Sequence, residues 1–468
     1  TTSRSALVCA LARALVTETS REDLARLLPV VTVEADGRVA SMREPTVTPR
    51  PSARERAAMA LADAASLASR ALGKGKGEII GGRYALRVAP SLLETMGSGR
   101  ASVLVTGTNG KSTVTALVTA ALATAGRVAS NRTGANMPDG IVTSLKEDRS
   151  SELAAIEVDE AYLQPVVAAM HPRALIALNL SREYTRGVSL PQTVEHWQSA
   201  ARLLTPETAV IVNTDDPWVQ YAFERAPNIV PVAGGLNWKA DSAICPACQA
   251  VMSGLGEQWS CTGCGRERIK PAWSATDGEH LSDVLQEVVV SGPDHHLTVR
   301  TSVPGRTAAA SVAFALAAAD AVGVSVDHAA AAVESVLDVD GRYAPFEIDG
   351  RRARIIMLKN PAGWTEAIDT AIRTDLPVVI YAEPFGPRDT TTIWEVEWER
   401  LSGRPVVVSG KRGPDVVACL DSHGVSSTLV DDPLDAVRMH SPGPVLVACN
   451  YSGFRQLTAR LRNDGAIL

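Results

Sequence analysis

Short apolar runs alternate with alanine-rich amphipathic stretches along most of this chain. The runs at 102–106, 153–158, 174–179, 208–212 and 230–232 are short and rich in β-branched residues, the pattern of strands buried on both faces. A long alanine-rich stretch opening at Lys111 and another at 192–204 read as helices between them. This alternation predicts a doubly wound, mostly parallel α/β sheet that binds ligands at the carboxyl ends of its strands. A strand at 295–303 and two alanine-rich helices, 308–322 and 327–337, joined by Gly323, are expected to pack back on it. From Phe346 the alternation restarts. Strands at 354–358, 377–382, 406–409, 427–429 and 445–448, with helices between and after them, predict a second, smaller α/β unit.

Ahead of the first sheet lies a leader, 1–50, of no assigned role, with helix-like stretches at 5–16 and 20–28 and a β-like run at 30–33. Prolines 45, 49 and 51 mark a linker. A helix pattern follows at 53–72, and then a solvated loop, Gly73-Lys74-Gly75-Lys76-Gly77. The expected units are the leader 1–50, a larger α/β domain 54–342 interrupted at 241–270, and a C-terminal α/β domain 346–468.

Length fits this division, since 468 residues suggest about three domains. A hydrophobic share of 46% is enough for sizeable cores. The net charge of −6 gives no bulk reason to expect nucleic acid as a partner. No apolar run approaches the ~18 residues of a membrane span. The stretch 6–16 is broken by Arg13 and does not read as a signal peptide, so the expected compartment is the cytoplasm.

The chemistry concentrates where the first apolar run ends. Gly107-Thr108-Asn109-Gly110-Lys111-Ser112-Thr113 is a glycine turn opening a helix. Glycines let backbone N–H groups curl round an anion, and the helix terminus adds positive potential. Lys111 is placed to reach the outer phosphates of ATP, and the Ser112 or Thr113 hydroxyl to ligate Mg²⁺. The run at 153–158 ends in Glu157-Val158-Asp159-Glu160. A carboxylate at the end of a strand beside such a loop is where a Mg²⁺ partner belongs.

Cys245-Pro246-Ala247-Cys248 and Cys261-Thr262-Gly263-Cys264 form two C-x-x-C pairs. Four thiolates on a short hairpin suit tetrahedral Zn²⁺ with no room for a substrate water, a structural site. A redox dithiol pair and a nucleic-acid ribbon are the rival readings, and the sparse basic flanks favour neither. Cys9, Cys419 and Cys449 read as small buried hydrophobes.

The shortened glycine loop, with a threonine before it and two residues between Gly107 and Gly110, resembles that of the Mur ligase and folylpolyglutamate synthetase superfamily. Asn131-Arg132-Thr133-Gly134-Ala135-Asn136, Glu157-Val158-Asp159-Glu160-Ala161, the four-cysteine insertion and Lys359-Asn360-Pro361-Ala362-Gly363-Trp364 follow in one order. Together they are similar to the MurT-like branch, over about residues 54–468. The resemblance implies a Mur ligase-like ATPase domain with an inserted zinc ribbon and a smaller C-terminal domain. It implies an amide ligase that phosphorylates a carboxylate with ATP, the D-glutamate α-carboxylate of a lipid-linked or soluble muropeptide. The ammonia would come from a GatD-like glutaminase in a heterodimer, with the complex at most peripheral at the inner membrane face. Lys111 would then hold the β- and γ-phosphates, Ser112 and Glu157 would ligate Mg²⁺, Asn213 and Asp216 would lie by the adenine, and Arg342 would reach the nucleotide at the hinge. Asp389 would orient the histidine of the partner's Cys-His pair. This chain departs from that family at Ala308 and Ser311, where asparagines are usual, at Glu183 in place of Asp, and in the loop 383–388. The alternatives are amidation of another carboxylate in specialised metabolism, or a non-catalytic nucleotide-binding scaffold for a glutaminase.

Overall fold

The computed structural model describes residues 50–463 apart from 72–77, 133, 183–188, 237, 257, 281–284, 304, 306, 337–344 and 385–392. The leader, Arg342, Glu183 and Asp389 therefore lie outside the described residues.

Six strands form the first sheet: β1 (Ala101–Thr106), β2 (Val128–Ser130), β3 (Leu153–Glu157), β4 (Ala174–Ala177), β5 (Ala209–Asn213) and β6 (Ile229–Val232). Their order is β2-β3-β1-β4-β5-β6, and every pairing is parallel. The central strands β1, β3 and β4 are buried almost throughout, which is why they read as unbroken apolar runs. One face packs against helices that include Ala53–Ala71, Leu163–Met170 and Leu190–Ala201. The other face packs against helices Lys111–Ala123, Thr307–Ala321 and Val326–Glu334. The helix Thr307–Ala321 is buried nearly all round, so alanine on every side lets it lie close to its neighbours.

The strand expected at 295–303 does not rejoin this sheet. It is β11 (His295–Thr301) of a separate antiparallel layer with β9 (Ser274–His280) and β10 (Gln286–Gly292), in the order β11-β10-β9. Here β9, Ser-Ala-Thr-Asp-Gly-Glu-His, has too few apolar positions to read as a strand from its sequence. Between β6 and β9 the cysteine insertion forms a small hairpin, β7 (Met252–Ser253) and β8 (Ser260–Cys261), with its own core around Trp259 and Met252.

The last unit is a second six-stranded sheet of β12 (Pro345–Ile348), β13 (Arg351–Leu358), β14 (Val378–Tyr381), β15 (Val406–Ser409), β16 (Ser427–Val430) and β17 (Gly443–Asn450). Its order is β12-β13-β17-β14-β15-β16, parallel except for β12 against β13. Both its faces are covered. No helix among the described residues is long and apolar enough to cross a membrane.

Candidate functional site

The carboxyl end of β1 runs straight into the glycine loop. Gly107 and Gly110 have φ of 140° and 84°. At Gly107 a side chain is excluded twice over, since a Cβ there would lie 2.9 Å from the Leu178 Cβ. Gly110 is the left-handed residue immediately before helix Lys111–Ala123, so the loop leads directly into the positive end of that helix. The loop after β4 pins this turn in place. Asn179 accepts from the Asn109 N–H (2.9 Å) and donates to the Asn109 carbonyl (3.0 Å), while the Thr108 hydroxyl accepts from the Ser181 N–H (3.0 Å).

Parallel pairing sets Glu157 opposite Val105, one strand over from the loop. Its Oε2 accepts a 2.6 Å hydrogen bond from the Ser112 hydroxyl, and its Oε1 accepts from Asn136 Nδ2 at 2.9 Å. Asn131 holds the Glu157 backbone from both sides: Oδ1 accepts from the Glu157 N–H (2.9 Å) and Nδ2 donates to its carbonyl (2.8 Å). Ser112 and Glu157 thus offer two adjacent hard oxygen donors, a set suited to Mg²⁺. The buried Lys111 ammonium donates to the Gly107 carbonyl and pairs with Glu160 at 3.2 Å. Asp159 accepts from the Ala161 N–H and so caps the turn that carries Glu160.

A cleft opens in front of this cluster. One wall holds Thr108 to Val114, Glu157, Asp216, Trp238 and Ser311. The facing wall, from the last unit, holds Lys359, Ala362, Gly363 and Glu366. Asn360 caps helix Pro361–Thr374 by accepting from the Gly363 N–H at 3.0 Å. Glu366 reaches across the junction. It accepts from both the N–H and the hydroxyl of Thr307 at 3.3 Å. Gly305 makes room for it, because a Cβ there would come within 2.1 Å of Glu366 Oε1. Burial pushes the Glu366 carboxyl up to about 7, with the Thr307 hydrogen bonds and Arg373 opposing and Asp369 adding to the rise.

Asn213 and Asp216, expected beside the adenine, are both buried and engaged with backbone. Asn213 donates to the carbonyls of Leu178 (2.7 Å) and Gly235 (3.0 Å) and accepts from the N–H groups of Asp215 and Gly234. Asp216 caps helix Pro217–Phe223 and accepts from the Leu180 N–H at 2.8 Å. Burial lifts its carboxyl to about 6 against those hydrogen bonds. Asp216 lines the cleft, whereas Asn213 ties β5 to the loops on either side. Ala308 is fully buried, and the Ser311 hydroxyl donates to the Thr307 carbonyl at 2.6 Å. Asn131 and Asn136 lie in the segment that the family resemblance marked, without a role assigned to either, whereas Asn179 and Glu366 support the site and carry no local spacing that marks them.

The four cysteines come together as expected. The Sγ atoms of Cys245, Cys248, Cys261 and Cys264 all lie within 4.8 Å of one another, with Cys248–Cys261 at 3.4 Å and Cys245–Cys264 at 3.8 Å. Ligands about 2.3 Å from a tetrahedral zinc sit at such separations. The N–H groups of Gly263 and Cys264 both donate to the Cys261 sulfur. Hydrogen bonds from the Arg266 backbone and then its guanidinium pull the Cys264 thiol down to about 6, whereas burial pushes Cys245 up to about 11. Bound Zn²⁺ would hold all four as thiolates.

Known proteins resemble this chain in sequence and in fold. The family model described as Mur ligase middle domain matches residues 105–234, and the one described as MurT ligase C-terminal matches 357–454. The chain is 25% identical over 356 residues to the MurT subunit of lipid II isoglutaminyl synthase (glutamine-hydrolyzing) from Streptococcus pneumoniae, covering 70% of this chain and 77% of that protein. It is 23% identical over 391 residues to the subunit of the same name from Staphylococcus aureus strain COL, covering 78% and 86%. In fold it resembles crystal structure II of MurF from Acinetobacter baumannii, with a TM-score of 0.62 at 15% identity over 81% of this chain and 80% of that one. With the nucleotide-type loop in the first matched domain and the facing wall of the cleft in the second, the chain is a divergent homologue of the MurT subunits and, with them, of the ATP-dependent Mur ligases.

Proposed function

We propose that this chain uses ATP to activate a carboxylate for amidation by ammonia, as the ligase subunit of a glutamine-hydrolysing pair. The observation that carries the reading is the meeting of Lys111, Ser112 and Glu157 at a glycine loop that faces Lys359 and Gly363 across one cleft. A carboxylate is a poor electrophile because its charge is delocalised over both oxygens. In the proposed reaction an acceptor oxygen attacks the γ-phosphorus, the bond to the bridging oxygen breaks, and ADP leaves. Ammonia then attacks the acyl carbon, the carbon–oxygen bond to phosphate breaks, and a nitrogen proton is released. The loop N–H groups and Lys111 bind and orient the phosphates, and much of the catalysis is such positioning and charge neutralisation. Ser112 and Glu157 would hold Mg²⁺, which supplies positive charge at the phosphate oxygens when bound. Arg342 is assigned to the nucleotide and Asp389 to the partner's histidine on the family resemblance.

The relatives' printed names, a glutamine-hydrolyzing lipid II isoglutaminyl synthase, support an acid on lipid II as acceptor and glutamine as the nitrogen source. The D-glutamate α-carboxylate of a peptidoglycan stem peptide, a GatD-like glutaminase as partner and a cytoplasmic setting are assigned on the family resemblance. The test incubates the purified chain and its glutaminase with ATP, Mg²⁺, glutamine and a muropeptide. ADP release, with replacement of one acid hydroxyl by an amino group in the product mass, is expected. Wild-type protein that binds no ATP at millimolar concentration overturns the reading. Glutamine turnover without ADP would mark a scaffold, and ADP formation only with another acid would redirect the acceptor.

A further inference from the structure

The cysteine knuckle is joined to the cleft at more places than its own closure needs. It follows Gly234, Gly235, Leu236 and Trp238, which line one wall, and the chain returns at Trp273, which bridges back to Val232. Trp259 lies between the two cysteine pairs and is buried. Its indole N–H donates to the carbonyl of Thr214 at 2.8 Å. Arg268, just past the second pair, forms a buried ion pair with Asp215 at 2.6 Å. The other Asp215 oxygen accepts from the Gly235 N–H at 2.7 Å. Both contacts end on the loop after β5 and on the wall itself, and neither closes the hairpin.

We propose that Trp259 and Arg268 are positioning residues for the nucleotide, and that the knuckle acts as a strut that holds the wall of Gly234, Gly235, Leu236 and Trp238 in its binding shape. This rests on the nucleotide reading above. The wall is irregular, with Gly235 at φ 75°. Fixing such backbone costs conformational entropy, and a ligand that must order it binds more weakly. The strut orders the wall beforehand. One group on the wall shows what is being held. The Trp238 indole N–H is buried and has no hydrogen-bond partner among the described residues, in a residue that lines the cleft. A buried donor left unpaired is costly, and an acceptor on the nucleoside, a ring nitrogen or a ribose hydroxyl, would satisfy it.

The test uses the full chain and Mg-ATP as the probe, with affinity read by calorimetry and zinc content by elemental analysis. Trp259→Phe keeps the ring and removes the N–H. Arg268→Gln removes the charge, and Arg268→Lys restores it. Trp259→Phe and Arg268→Gln are expected to weaken ATP binding about tenfold, which is ~1.4 kcal/mol. Zinc content should stay at the wild-type value, and Arg268→Lys should recover most of the affinity. In turnover with the glutaminase, the KM for ATP rises and kcat holds. Should Trp259→Phe not fold, the Arg268 pair decides alone. Wild-type affinity in the variants overturns the proposal. So does a parallel loss of zinc and affinity, which would assign both residues to the knuckle's own stability. A wild-type chain that binds no ATP fails the nucleotide reading instead.

Discussion

The Ser112 hydroxyl sits 2.6 Å from Glu157 Oε2, joining the first turn of one helix to the end of the neighbouring strand. In the proposed Mg²⁺ site these two oxygens would form one edge of the coordination shell, so neither side chain is expected to tolerate loss of its oxygen. Glu157→Gln should cut ATP turnover on the order of 10²–10³-fold, the range seen when one preorganised charge-stabilising group is removed. Ser112→Ala should raise the Mg²⁺ concentration needed for half-maximal ADP release. An unchanged Mg²⁺ titration in both variants would separate the pair from the metal.

Glu157 is in turn only as well placed as its backbone. Asn131 satisfies that residue's N–H and carbonyl together. Asn131→Ala leaves two buried backbone groups without these partners, at ~1–3 kcal/mol each. A lowered urea midpoint together with weakened Mg²⁺ dependence is expected, whereas a variant as stable as wild type would count against the clamp.

Lys111 shares its ammonium with Glu160 at 3.2 Å. A phosphate must compete with that carboxylate. Glu160→Gln removes the competing charge and is expected to tighten ATP binding about two- to fivefold, as expected for a partly screened charge pair. Lys111→Met should abolish binding. Weaker binding in Glu160→Gln would mean that the carboxylate orients the lysine rather than competing for it.

At the junction of the two units, Glu366 keeps its proton up to about pH 7, whereas a carboxyl in the unfolded chain loses it near 4.5. The folded chain therefore binds more protons in that window. The stability this group contributes is complete below 4.5 and is lost as pH rises through 7. Glu366→Gln cannot ionise and still accepts from Thr307. It should flatten the slope between 4.5 and 7 and exceed wild type in stability above 7, as read by denaturation midpoints across pH.

Chelation tests the knuckle. Its hairpin core is built around Trp259 and Met252, too small to stand alone. Stripping zinc with a strong chelator should expose residues 241–270 to proteolysis while the parallel sheet survives. Resistance of that segment after metal loss would show that its contacts to the first sheet suffice.

How much of this could be read beforehand depends on the range of each interaction. The glycine loop, Glu157 and the cysteine pairs signal through residues a few positions apart, so spacing alone exposed them. The buried strands β1, β3, β4 and β5 were visible as apolar runs, because both faces are packed and apolar side chains fill most of their positions. The grip of Asn131 on Glu157 spans 26 positions and that of Glu366 on Thr307 spans 59, so no local pattern records them. The strand β9 escaped because it is short of apolar residues and contains Gly278. Asn213 and Asp216 drew notice as polar residues after a strand, yet their buried atoms tie backbone segments together, a role that only the folded chain reveals.

Because the cleft has one wall from each unit, neither unit alone encloses it. A chimera that exchanged the portion after Thr374 would leave Lys359, Ala362, Gly363 and Glu366 where they are. One exchanged from Arg351 onward would replace that whole bank and keep the phosphate grip. The two banks of the cleft are therefore carried by separate stretches of the chain, so that one can be exchanged by recombination while the residues of the other stay unchanged.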